Sequence, residues 1–375
     1  MIRRIIFFVI VVMGMGYAQT PMKLSVDKET VTNKSYSIDI NAFQGTILKH
    51  NPDISHLITS HPSGLILAIN HQTYGDKEWQ RLYNYPDYGV SLVYQDLKND
   101  FLGISIGAFA HYNFYFLRRY LQLRIAQGAT YASKPYDIDD NYRNIAYGSH
   151  IMSASYALLN YRHQNVIQHV GLQLGIGILH YSNGNSKAPN KSTNTLFANV
   201  AVNYNLSQQP KQYIAKEEGL LRGSRPIGLG VMLSGGFNES DLVGSGRYPF
   251  LTVGMFAHKQ LNKKSTIVVG SELFFSKALE RYIDYRAVGD FGDGTTGNED
   301  SKRAGVYVGH ELTINKLAIL INFGYYFYYP YDFEGTMYNR AGLKYNFTSS
   351  IFGAITVRSH AAKAEAIEYS IGYRL

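Results

Sequence analysis

Apolar and polar residues alternate along most of this chain, in short segments that are separated by turn residues. The C-terminal segment is one of the clearest, because Ile367, Tyr369, Ile371, Tyr373 and Leu375 fall on one face and polar or small residues fall between them. A period of two residues is that of a β-strand whose two faces differ. The sequence predicts about sixteen such strands, near residues 37–48, 62–71, 87–96, 101–113, 119–129, 151–161, 168–181, 194–206, 226–237, 248–260, 265–276, 304–314, 317–328, 338–347, 350–358 and 365–375.

The composition narrows the fold class to a membrane barrel. The 375 residues include 32 Tyr, 19 Phe and 35 Gly, and no apolar run after the N-terminal segment is long enough for a helical span. Aromatic girdles at the membrane interfaces and small residues in a crowded lumen are typical of outer-membrane barrels. We therefore predict an all-β fold, a transmembrane antiparallel outer-membrane β-barrel of about 14–16 strands, and regard a secreted β-sandwich as the weaker alternative.

The N-terminal segment, residues 1–18, has the pattern of a cleaved secretory signal peptide. Arg3 and Arg4 precede an apolar stretch, and a small-x-small site ends at Ala18. The chain has no Cys, which excludes a lipoprotein anchor and disulfide bonds. Residues 19–375 show no change of composition, so we expect a single barrel domain in the outer membrane of a Gram-negative cell.

Long and short connections alternate, and this alternation orients the predicted barrel, because periplasmic turns are short and external loops are long. It assigns the connection 182–193 to the external side of the membrane. The segment 207–225 departs from the pattern, since it is a long connection on the periplasmic side. We expect a solvated loop, with a small plug or a partner-binding segment as the alternatives. A single barrel of this many strands would enclose a lumen wide enough for water, which is the basis of a channel as the alternative function.

Candidate catalytic residues lie where the strand near 168–181 reaches the external loop. His180 and Ser182 continue the apolar face that Ile176 and Ile178 form, and two residues apart on a strand they project side by side. An imidazole in that position can accept the serine proton and create a nucleophile. A histidine at bilayer level is costly, which favours a functional role, and Asn194 on the next strand shares the same face.

The segment from His180 to Asn183, His-Tyr-Ser-Asn, resembles the signature of the lipid A 3-O-deacylases, outer-membrane acyl hydrolases of the acyloxyacyl hydrolase family. The resemblance implies that His180 is the base, that Ser182 is the nucleophile, and that Asn190 helps to hold the oxyanion. Asn183 is an amide donor in the same loop and a second candidate for contact with the oxyanion or the substrate. The resemblance also implies a barrel fold and an esterase that removes an ester-linked acyl chain from lipid A.

One position departs from the family pattern. Where a glutamate completes the triad at the beginning of the next strand, this chain has Asn194. An asparagine can orient the imidazole through a hydrogen bond, but it cannot stabilise imidazolium with a full charge. The resemblance therefore implies a site of Ser182, His180 and Asn194 with slower turnover than a full triad, or an acid supplied from elsewhere in the chain.

The remaining features add less. The net charge of +8 suits contact with the anionic phosphates of lipopolysaccharide. His50, His56 and His61 lack a spacing typical of a metal site, so we predict no metal and no cofactor. The expected partners are lipid A and outer-membrane lipid, not nucleic acid, and the oligomeric state stays open. The alternative from another class is a non-enzymatic channel or structural barrel with a degenerate motif.

The alternating strands predict how the protein behaves in detergent. We expect it to fractionate with the outer membrane, to require detergent for extraction, and to migrate differently on an electrophoresis gel with and without boiling, since membrane barrels stay folded in unheated samples. Recovery of the mature chain as a soluble periplasmic protein would contradict the barrel prediction.

Overall fold

The computed structural model describes residues 35–207, 212–240, 242–289, 291–361 and 363–375, which consist mainly of antiparallel strands. All sixteen predicted strands are present, with bounds within three residues of those predicted except that the sixth strand extends to Ile167 instead of 161. The signal peptide expected at residues 1–18 lies outside the described residues.

The strands fall into two groups of eight. The first group is β1 Ser35–Ile47, β2 Ser63–Gln72, β3 Asp87–Asp96, β4 Ile104–Phe116, β5 Leu121–Ala132, β6 Ile151–Ile167, β7 Val170–Ser182 and β8 Thr193–Asn205. The second group is β9 Gly228–Glu239, β10 Arg247–Gln260, β11 Ser265–Ser276, β12 Arg303–Ile314, β13 Leu317–Tyr328, β14 Met337–Asn346, β15 Ile351–His360 and β16 Lys363–Arg374.

Each group closes on itself, so the expectation of one barrel is wrong. β1 pairs with β8, and β9 pairs with β16, which gives two closed barrels of eight strands. The physical reason is that β8 satisfies its second edge with β1 of its own group, and therefore offers no edge to β9. The long connection 206–227, the one that departs from the loop pattern, joins the two barrels.

The alternation of each strand separates an outer apolar face from an inner face, as predicted. The inner face has aromatic residues such as Phe109 and Tyr307 beside the polar and small residues that the sequence predicted. On β7, Leu172, Leu174 and Ile176 are exposed, while Gln173 between them is buried. Two short helices, α1 Glu78–Leu82 and α2 Lys277–Gly289, lie in connections. In the part of the chain that the structure describes, no helix is both long and apolar enough to span a bilayer.

The interior of the first barrel combines an aromatic and aliphatic cluster with a polar network. Arg124 forms a buried ion pair with Asp39, and Asn70 donates to the same carboxylate over 3.0 Å. The Arg124 Nε also donates to Oδ1 of Asn113 over 2.6 Å. These charges are paired and hydrogen-bonded, as buried charges must be, and they fill the space inside the strands.

The interior of the second barrel contains a larger charged network. The guanidinium of Arg340 lies between Glu272, at 2.8 Å, and Glu368, and Arg358 contacts both Glu365 at 3.1 Å and Glu368 at 3.6 Å. A cavity of ≈ 20 Å³ lies beside this network, which is about the space of one water molecule. Eight-stranded barrels have interiors that side chains fill, so the wide lumen on which the channel alternative depended is not formed by the described strands.

The two barrels are tied together at both ends. At the end with the longer loops, the loop 183–192 between β7 and β8 contacts Glu239 at the end of β9. At the opposite end, the hydroxyl of Tyr83 donates to the carbonyl of Thr313 over 2.7 Å, and Lys263 pairs with Glu78 at 2.7 Å. The barrels therefore stand side by side with their outer faces opposed between these ties.

The network in the second barrel predicts a large effect of removing its central cation. Arg340→Ala leaves Glu272 and Glu368 buried without their shared partner, and should lower the free energy of unfolding by about 3–5 kcal/mol. The control is Arg281→Ala, which removes an exposed pair with Asp284 and should cost about 0–1 kcal/mol. Urea unfolding in lipid vesicles measures the free energy of unfolding of both variants. Equal losses would contradict the assignment of Arg340 as the centre of a buried charged network.

Candidate active site

The register of β7 and β8 brings His180 and Asn194 together. They are directly opposed partners in the ladder, and both side chains point outward with their exposed neighbours Ile178 and Leu196. The Nδ1 of His180 lies 2.8 Å from the Oδ1 of Asn194. Because an amide oxygen can only accept, Nδ1 carries the ring proton, and Nε2 keeps its lone pair.

Ser182 is the last residue of β7, and its side chain is nearly enclosed, with 7% of the residue exposed. Its hydroxyl donates to the Oδ1 of Asn190, at 3.2 Å, and accepts from the Nδ2 of Asn190, at 3.0 Å. The backbone N–H of Gly184 also donates to this hydroxyl, over 3.1 Å. Two N–H groups therefore converge on the one serine oxygen.

His180 and Ser182 share a face of β7 but are not hydrogen-bonded to each other within the described chain. The hydroxyl of Ser182 is engaged by Asn190, and the ring of His180 is engaged by Asn194. The side chains of His180, Asn194, Ser182 and Asn190 thus lie at the same end of β7 as two contacting pairs. The structure does not bring Ser182 and His180 into direct contact.

The loop 183–192 is folded over Ser182 by its own amides. The backbone N–H of Asn183 donates to Oδ1 of Asn190 over 3.0 Å, and the Nδ2 of Asn183 donates to the carbonyl of Lys187 over 2.6 Å. Asn183, which the sequence suggested as an oxyanion or substrate contact, therefore serves to shape the loop. Asn190 is the amide that reaches the serine.

Gly184 occupies a position that a larger residue could not. Its φ of +61° lies in the left-handed region, and a Cβ there would come within 2.3 Å of Ile367 in the second barrel. The glycine therefore permits both the turn that aims its N–H at Ser182 and the close approach of the second barrel.

Glu239 of the second barrel fixes the far side of the same loop. Its carboxylate accepts from the N–H of Ala188 over 2.7 Å and from the N–H of Gly246 over 3.3 Å. Its own backbone exchanges hydrogen bonds with Asn185, at 2.9 Å and 3.0 Å. Glu239 is buried and occupied by these N–H groups, so it does not serve as an acid for His180.

The sequence analysis did not identify two residues that contact the site, Gly184 and His50. Gly184 donates through its backbone, which no side-chain pattern reports, although the Asn-Gly-Asn run signals a turn. His50 also reaches the site from the first external loop, where its Nε2 contacts the carbonyl of Lys191 at 3.0 Å and the hydroxyl of Ser192 at 3.3 Å. No group of three or more potential metal ligands occurs among the described residues.

A groove of ≈ 2000 Å³ opens between the two barrels, and His180, Ser182 and Asn190 line it. Its walls are mainly the opposed outer faces of both barrels, and most of its lining is apolar. The site therefore opens to the outer surface between the barrels.

Two family models match the chain, and each falls within one barrel. Residues 63–203, in the first barrel, match the lipid A 3-O-deacylase family, and residues 227–375, in the second, match the C-terminal domain of acyloxyacyl hydrolases. No curated protein matches the chain.

Among solved structures, mutants of the porin from Rhodopseudomonas blastica align with the chain. One covers 91% of this chain and 99% of the porin at 11% identity, with a TM-score of 0.19, and another covers 91% and 100% at 11% identity, with a TM-score of 0.20. TM-scores this low carry no argument, and the barrel assignment rests on the strand pairing itself.

The two family matches together span most of the chain and include every residue of the site at the end of β7. This family consists of hydrolases that act on lipid A in the outer membrane, which agrees with a membrane barrel whose site opens to its outer surface. The chain belongs to the lipid A 3-O-deacylase and acyloxyacyl hydrolase family.

Proposed function

We propose that this protein is an outer-membrane serine esterase that removes an ester-linked acyl chain from lipid A, with Ser182 as the nucleophile and His180 as the base. The observation that carries the proposal is that the ring of His180 is held in one orientation on the same face as Ser182, whose hydroxyl oxygen already accepts hydrogen bonds. The hydrogen bond to Asn194 leaves Nε2 of His180 free to accept a proton, and two N–H donors already converge on the oxygen of Ser182.

The first step is acylation. The hydroxyl of Ser182 leaves Asn190, passes its proton to Nε2 of His180, and attacks the ester carbonyl carbon. His180 then returns the proton to the sugar oxygen as the ester bond breaks, so the acyl chain remains on Ser182. This step requires the contact between Ser182 and His180 to form on substrate binding, as catalytic hydrogen bonds often do.

The second step is hydrolysis of the acyl-serine. Water gives a proton to His180 and adds to the acyl carbonyl, after which the fatty acid departs and Ser182 recovers its proton. In both steps negative charge develops on the carbonyl oxygen. The Nδ2 of Asn190 and the N–H of Gly184 are the donors suited to hold it, since they lie 3.0 Å and 3.1 Å from the serine oxygen in the resting site.

Asn194 acts as the positioning residue for His180. It fixes the ring orientation and the tautomer through a neutral hydrogen bond. Because it brings no negative charge, the imidazolium that forms in each step lacks the stabilisation that a carboxylate gives. The proposed enzyme is therefore slower than one with a complete acidic triad.

The substrate class follows from where the site lies. Ser182 opens to a largely apolar groove at the level of the membrane, which matches an ester joined to a hydrocarbon chain. The external end of the barrel corresponds to the leaflet that contains lipopolysaccharide, and export of the chain by a cleaved signal peptide belongs to the same proposal.

Removing the nucleophile or the base tests the proposal. Ser182→Ala and His180→Ala should each lower release of fatty acid from purified lipid A by at least about a thousandfold, because each removes a group that acts in both steps. The measurement is mass spectrometry of lipid A before and after incubation. Ser271→Ala, on β11 of the second barrel, is the matched control and should retain full activity. Unchanged release in both site variants would refute the serine mechanism.

Two changes at Asn194 separate its role from that of a catalytic acid. Asn194→Ala should cost about ten- to a thousandfold in kcat, less than loss of Ser182, because the imidazole loses only its orientation. Asn194→Glu should retain or raise kcat at neutral pH, since an ionised carboxylate would stabilise the imidazolium. If neither variant differs from the parent protein, another residue orients His180.

A further inference from the structure

The groove between the barrels has two unlike walls. The wall from the second barrel is made of outward-pointing large apolar side chains, among them Leu233, Ile367 and Ile371. They belong to β9 and β16, the strands whose pairing closes that barrel, so they form one continuous surface opposite the site.

The wall from the first barrel has small residues beside the site. Ala129, Ser153, Ser155 and Ala157 occupy outward positions of β5 and β6 that line the groove, and the larger Ile125 and Ile151 lie at outward positions around them. Large outward residues such as Leu172 cover the periplasmic half of β7. The small side chains therefore leave a recess in the outer face of the first barrel, beside His180.

Polar groups lie in that recess at the level of the catalytic pair. Ser155 is the ladder partner of His180, and Ser153 is the partner of Ser182. Gln127 donates to the hydroxyl of Ser153 over 3.0 Å on the same outward surface. Polar residues are disfavoured on a surface that faces only hydrocarbon, so this part of the wall is suited to the polar ester region of a lipid.

The groove is held open by the ties at its ends. Glu239 and Ile367 hold the loop 183–192 at one end, and the pairs Tyr83 with Thr313 and Lys263 with Glu78 join the barrels at the other. Between these contacts the barrels remain separated, which leaves the ≈ 2000 Å³ of the groove. This volume exceeds the roughly 300–1,000 Å³ of pockets for small molecules.

Basic residues lie at the mouth of the groove. Arg247, Lys191 and Lys363 line it at the external ends of the barrels. Two of them are also ion-paired, Lys191 with Asp53 at 3.1 Å and Lys363 with Glu334 at 2.7 Å. A ligand that places hydrocarbon between the barrels would therefore meet cations at the level where its head group emerges. Phosphates attached to a sugar have the complementary charge.

From these observations we propose that the second barrel is half of the substrate site: acyl chains of an anionic, multi-acyl glycolipid lie between the barrels, with β9 and β16 as the wall opposite Ser182. This inference rests on the proposed deacylase function and extends it to the residues that select the acyl chain. The second barrel then acts as a specificity element and not only as a membrane anchor.

The first test does not depend on catalysis. Ser182→Ala protein in detergent is incubated with one equivalent of a lipid A analogue that carries a photoreactive diazirine at the end of one acyl chain, irradiated, digested and mapped by mass spectrometry. We expect labelling of the Leu233 and Ile371 peptides at least fivefold above the Val269 peptide, which is also lipid-facing but lies on β11, outside the groove. Even labelling around both barrels would overturn the proposal, as would equal labelling by a phospholipid analogue.

The second test narrows the groove without adding charge. Ile371→Trp should lower the ratio of lipid A deacylation to hydrolysis of a short-chain, water-soluble ester at least tenfold, because the indole occupies space that the acyl chain needs. Val269→Trp adds the same group at a similarly exposed position and should leave that ratio near the parent value.

The two tests separate the inference from the proposed function. If the parent protein hydrolyses no ester but the labelling is confined to the groove, the deacylase function fails and the lipid site stands. If hydrolysis depends on Ser182 while Ile371→Trp and Val269→Trp give the same ratio, the function stands and the second barrel is not part of the site.

Discussion

A strand inside a bilayer must satisfy its backbone hydrogen bonds within its own sheet, because hydrocarbon offers no partners. This constraint closes β1 onto β8 and β9 onto β16, and the rest of the structure follows from it. Eight strands leave an interior that side chains fill, so neither lumen has room for a lipid. The candidate site therefore lies on the outer surface, where the end of β7 meets the second barrel.

The alternation of residues predicted the strands well but could not predict how they close. A period of two residues indicates which side chains face lipid. It predicted all sixteen strands and the outward face of β7. Closure depends on which strand edges pair, and β8 would show the same pattern beside β9 as it shows beside β1. The long connection 206–227 was the informative departure, since a second closed barrel needs such a link and a continuous series of hairpins does not.

The candidate site was predictable to the extent that it depends on strand parity. His180, Ser182 and Asn194 share one face, and the ladder makes His180 and Asn194 direct partners. The contacts of the loop 183–192 do not depend on strand parity. The direction of the Gly184 N–H depends on a left-handed turn, and Glu239 contacts Ala188, which is 51 residues away along the chain. The Asn-Gly-Asn run signals the turn but not the direction of its N–H, and the contact of Glu239 has no signature in residue type or spacing.

The contact of Glu239 with the loop also bears on how the molecule is assembled. A first barrel that folds ahead of the second would hold His180 and Ser182 at its rim, but the loop above them would lack its tether. The loop would then reach its final conformation only when both barrels have folded and are in contact. A hydrolase that acts on the lipid of its own membrane would in this way remain inactive until its insertion is complete.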